Sequence, residues 1–163
     1  MQGQGEAGLA LVRQGVAAFR ATGALLGLPD CWYTMLAEVA AHLGHPDEGL
    51  QVLTEALTLV EEHASRRWEA EVYRLRGVLL LRQTMPQQEE AETCFQHALT
   101  IARDQEAKSL ELRAAMSLSR LWQQQGKQAE ARALLAPIYG WFTEGFDTAD
   151  LQEAKVLLEE LAE

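Results

Sequence analysis

His42 and His45 stand three residues apart with Asp47 just beyond, a set that could hold a divalent metal if its side chains converged. The stretch HLGHPD runs from a helix end into a proline turn, so the side chains should diverge, and no metal site is expected. Ser65, Ser109, Ser117 and Ser119 lie in no GxSxG elbow and face no obvious histidine partner. His63 and His97 are isolated. Cys94, beside Phe95, reads as a buried inert thiol, and it forms no CxxC pair with Cys31. Glu89, Glu90 and Glu92 open a helix, where they complement its dipole. QGKQ at 125–128 lacks both the first glycine and the hydroxyl residue of a phosphate loop. These residues predict neither a catalytic constellation nor a cofactor, so the chain is expected not to be an enzyme.

Composition sets the frame for what remains. The 163 residues are 48% hydrophobic and 23% charged, enough for one domain with a sizeable core. Ala, Leu, Glu, Gln and Arg dominate while Ile and Thr are scarce, which predicts an all-α fold. No apolar run approaches the roughly 18 residues of a membrane helix, and MQGQGEAG lacks the basic and greasy parts of a signal peptide. The expected setting is therefore cytoplasmic, with no membrane partner. A net charge of −10 argues against nucleic acid. That charge is uneven. Residues 1–64 carry −6, residues 65–135 carry +2 and residues 136–163 carry −6, so the middle is where an acidic partner would be welcome.

A repeat organises the chain. Gly8/Val12/Gly15, Gly49/Leu53/Ala56, Ala91/Phe95/Ala98 and Ala131/Leu135/Ile138 share one small-large-small pattern, with first members 41, 42 and 40 residues apart. Helical stretches ahead of the last three place Tyr33, Leu36, Ala37 and Ala40, then Tyr73, Gly77 and Leu80, then Ala115, Leu118, Ser119 and Trp122 on one face. A small residue at Ala37, Gly77 and Ser119 lets a partner helix approach closely. The predicted helices cover about 5–22, 30–43, 47–63, 66–83, 87–104, 107–125, 128–142 and 148–162. Gly44, Pro46, Pro86 and Gly126 mark turns inside hairpins. Residues 1–163 thus read as a single repeat domain. It comprises a half-hairpin at 5–22, hairpins at about 30–63, 66–104 and 107–142, and a last helix at 148–162.

That last helix reads as a cap. Asp147, Thr148 or Asp150 can start it. Leu151, Ala154, Val156, Leu157, Leu158 and Leu161 form the expected inner stripe, and Gln152, Glu153, Lys155, Glu159 and Glu160 the outer face. Tyr139, Trp141, Phe142 and Phe146 are expected to plug the corner before it. The opposite end has no such cover. Leu9, Leu11, Val12, Val16 and Phe19 predict self-association through residues 8–26, possible as a homodimer.

The pattern resembles the tetratricopeptide repeat, lengthened to about 40 residues from the usual 34 or so. The chain also resembles the C-terminal helical array of class III adenylate or guanylate cyclases and of maltose-activator-type regulatory ATPases in bacteria. GLALVRQGVAAFRATG, WEAEVYRLRGVLLL and YGWFTEGFDTADLQEAKVLLEEL carry that similarity. The resemblance implies a right-handed α-solenoid of helix hairpins with a C-terminal capping helix, and a docking or sensory role in signalling. By the same resemblance, first helices line a concave groove. Its inward positions would be Thr34, Glu38 and His42, then Glu71, Arg74, Val78 and Arg82, then Arg113, Met116, Arg120 and Gln124. Arginines so placed suit a carboxylate-rich peptide or protein segment, unless they pair with local acids such as Glu71 and Glu111. The expected function is a non-catalytic protein-interaction scaffold. The alternatives are a regulatory fragment of a cyclase or signalling ATPase, and a homodimeric spacer.

Overall fold

The computed structural model describes residues 31–63 and 66–162, together with the helical positions 10, 11, 14, 15 and 18. Those residues hold seven bounded helices and no strand. They are α1 (Cys31–His42), α2 (Pro46–His63), α3 (Glu69–Arg82), α4 (Gln88–Asp104), α5 (Lys108–Gln124), α6 (Gln128–Tyr139) and α7 (Ala149–Glu160). No described helix is long and apolar enough to cross a membrane.

Each helix packs on the next, and α1, α3, α5 and α7 also touch one another in sequence, whereas α2, α4 and α6 do not. The odd-numbered helices are thereby the closer-packed row. The small-large-small positions lie within each hairpin, between an odd-numbered helix and the one that follows it. Leu53, Ala56, Ala91, Phe95, Ala98, Ala131, Leu135 and Ile138 are all buried, as is Gly49. Facing them are Ala37, Gly77 and Ser119, buried with nothing larger than a methyl or hydroxyl to hold the helices apart. At Gly77 the approach is so close that a Cβ would lie 2.5 Å from the Phe95 ring. Ser119 Oγ donates to the Ala131 carbonyl at 3.1 Å, satisfying a hydroxyl that would otherwise be a buried cost.

Helix ends follow from local chemistry. Pro46 takes the first position of α2, where its missing N–H is not needed. Gly44 (φ +80°) and Gly126 (φ +76°) reverse the chain after α1 and α5 in the left-handed conformation. The N–H groups of His45 and Lys127 reach back to the carbonyls of Ala40 and Trp122. The sequence predicts that α6 runs to 142, but it stops at Tyr139. Pro137 sits in its last turn and removes a donor, and Gly140 follows at once.

The cap also differs in detail from expectation. Leu151, Ala154, Leu157 and Leu161 are buried, and Leu158 is half-buried against the same core. Val156 is 52% exposed rather than inward, because five residues from Leu151 turn it about 140° away. Among the corner aromatics, Tyr139 and Phe142 pack on the core while Trp141 and Phe146 keep about half their surface exposed. Phe146 meets Tyr139 edge-on at 5.9 Å, and Lys108 Nζ lies 5.7 Å from the Trp141 ring centre.

Buried Glu111, in the first turn of α5, accepts from Arg103 Nε at 2.8 Å and from Lys108 Nζ at 2.7 Å. Burial alone would push its carboxyl up, but these two cations outweigh burial and hold it below the ordinary value. A carboxyl depressed by folding adds stability at neutral pH, and that contribution disappears as pH falls through the folded-state value.

Two measurements check this account. Gly77→Ala should lower unfolding stability by about 1–3 kcal/mol through overpacking, and Phe95→Leu in the same chain should recover part of the loss. Glu111→Gln should be less stable than wild type at pH 7, with the gap closing below about pH 4 in pH-dependent urea denaturation.

Candidate functional site

The odd-numbered row carries one dense cluster of charge. Arg113, Met116, Ser117 and Arg120 lie three, four and seven residues apart, so α5 presents them as a single stripe. Arg74 comes from α3, Glu38 from α1, and Asp150 and Glu153 from α7. Together these eight side chains line one open cavity of about 350 Å³. Met116 is buried, and Ser117 Oγ donates to the Arg113 carbonyl at 3.0 Å.

The cluster is tied from the inside outward. Glu71, with 3% of its side chain exposed, accepts two bonds from Arg74, to Nε at 2.8 Å and to Nη2 at 2.7 Å. Arg113 Nη1 lies 3.6 Å from the same carboxylate, and Glu38 lies 3.7 Å from Arg74. Arg113 Nε donates to Asp150 at 2.7 Å. Burial opposes the Arg113 charge, but the bond to Asp150 and the field of Glu71 push its pKa up and keep it cationic. Outermost, Arg120 donates to Glu153 at 3.0 Å, with both side chains about half exposed.

Of the groove positions expected from the sequence, Glu38, Arg74, Arg113, Met116 and Arg120 meet at this cavity. His42, Val78, Arg82 and Gln124 do not line it. His42 turns Nδ1 to the Glu38 carbonyl at 2.8 Å, Val78 packs against the core, and Arg82 and Gln124 are exposed further along their helices. Sequence reasoning missed Asp150 and placed Glu153 on the outer face of the cap. Both supply countercharge to α5 from residues 37 and 33 positions away. The available signal was register, since α7 takes the place in the row that another first helix would take.

The other candidates lie elsewhere. Among the described residues, no three metal-ligating side chains gather, and Asp47 instead accepts from Gln83 Nε2 at 2.7 Å. Burial pushes the Cys94 thiol up, away from reactivity. Glu92 accepts from Trp122 Nε1 at 2.9 Å, and Glu90 lies 3.3 Å from Arg76. Of the self-association stretch, Leu11 is 67% exposed, and Leu9, Val12, Val16 and Phe19 lie outside the described residues, as does Ser65. The chain matches no known family, and no curated protein matches it.

The pairs differ in what they hold. Arg74→Ala should cost about 3 kcal/mol, because it removes both hydrogen bonds from a buried carboxylate and leaves it only the longer contact to Arg113. Arg120→Ala should change stability by less than about 1 kcal/mol, because its partner is solvated. Equilibrium unfolding of the two variants side by side checks the contrast.

Proposed function

We propose that the chain is a non-catalytic protein-interaction module, a right-handed tetratricopeptide-like array of helix hairpins that binds a peptide or protein segment along its odd-numbered row. The observation carrying this reading is the convergence of charged side chains from α1, α3, α5 and α7 on one open cavity.

Binding here works by exchange of partners. The inner Glu71–Arg74 pair is too buried to give up and forms a fixed floor. Arg120 and Glu153 can separate at little cost, leaving a guanidinium for an incoming carboxylate. Glu38, half exposed and only 3.7 Å from Arg74, is available to a partner's base. Arg74, Arg113 and Arg120 meet four carboxylates, Glu38, Glu71, Asp150 and Glu153. A segment carrying both charges therefore suits the groove better than a purely acidic one. Residues held by packing and ion pairs lose little freedom on binding.

Selection of a displayed random-peptide library on the immobilised protein tests this. Enriched peptides should carry a carboxylate, and their affinity, read by fluorescence polarisation, should fall at least about tenfold for Arg120→Glu. It should rise for Glu153→Gln, which removes the internal competitor. Equal affinity for Arg120→Glu would move the binding site away from this groove.

A further inference from the structure

A second cavity, of about 460 Å³, lies where the α2–α3 junction meets the α4–α5 junction, away from the charged groove. Its walls are chiefly apolar, formed by Trp68, Ala107 and Leu110. Leu110 packs on the small cluster of Ala70, Ile101 and Ala102 and so has a fixed base. The two junctions are pinned to each other, because Gln105 Nε2 donates to the Arg66 carbonyl at 2.6 Å. The cavity is thus a built depression between two joined segments, in the size range of small-ligand pockets.

Its polar groups differ in what they leave free. Arg66 is engaged, donating to Glu69 at 2.7 and 3.3 Å. Arg67 also lines the cavity, is exposed, and has no ion-pair partner among the described residues. Ser109 adds a hydroxyl. Trp68 and Ala107 immediately precede α3 and α5, and neither helix has a side-chain cap. Arg67 and the Ser109 hydroxyl thus add polar groups to a chiefly apolar depression.

From this arrangement we propose that the cavity binds a small amphipathic monoanion, a carboxylic acid with an aromatic or branched apolar body. The ring lies against Trp68 and Leu110, and the carboxylate meets the guanidinium of Arg67 in the two-bond geometry that planar pair favours. A single charge fits better than two, because Arg66 is held by Glu69 and Arg67 is the lining cation left without an ion-pair partner among the described residues. A bound acid would touch both junctions and so stabilise the packing of one hairpin on the next.

The test uses the full chain, isotope-labelled, titrated with 3-phenylpropionate while amide shifts are followed by NMR. Saturable shifts should concentrate at residues 66–68 and 105–110, with affinity falling at least about tenfold in Arg67→Glu and staying unchanged in Arg120→Glu. The neutral 3-phenylpropanol and the dianion phenyl phosphate should both bind more weakly. Absence of saturable shifts at these residues, equal binding by the alcohol, or full binding by Arg67→Glu would each overturn the proposal. A selectivity favouring phenyl phosphate would overturn the monoanion assignment.

Discussion

The helices of this chain stand as close as they do because, at one position per hairpin, almost nothing lies between them. Ala37, Gly77 and Ser119 present a methyl, a hydrogen and a hydroxyl to the facing helix. Phe95 fills the space that Gly77 leaves, so a small residue on one helix and a ring on the other form a single fitted contact. Interiors packed to this density do not deform smoothly, and a displaced backbone there would be felt along the row. The charged cavity depends on that fit. Its arginines and carboxylates come from four helices and meet only because those helices are held at fixed separations.

Charge is graded across the same row. The innermost carboxylate, Glu71, is buried and doubly bonded, and the outermost pair, Arg120 with Glu153, is largely in water. Dielectric, more than distance, sorts the roles. In low dielectric a charge without a partner is prohibitive, so the inner pair is structural. Near solvent a pair is nearly neutral in free energy, so its members are free to serve recognition. Asp150 lies between these limits, one-third exposed and bonded to an arginine that also feels Glu71.

Much of the helical organisation was legible because it is written in short-range periodicity. The three small-large-small sets beginning at Gly49, Ala91 and Ala131 are buried, whereas Gly15 of the first set is exposed and Gly8 and Val12 lie outside the described residues. Glycine or proline at 44, 86 and 126 falls between helices, and Pro46 opens α2. Legibility failed where the deciding contact is between helices. Glu153 looks like any solvent-facing acid within its own helix, and only its distance to Arg120 makes it part of the cavity. Val156 was misplaced because a crowded apolar run, VLL, hides which members share an angle with Leu151. The second cavity left no periodic trace at all, since its walls come from two junctions that the repeat pattern treats as spacers.

Among the bounded helices, no packed contact reaches further than two places along the order of elements. This has a consequence for how the chain acquires its shape. A newly made helix needs only the two that follow it before all its packing partners exist. Contacts of such short reach are cheap in loop-closure entropy and quick to form. Assembly can therefore keep pace with synthesis, each hairpin settling against the one before.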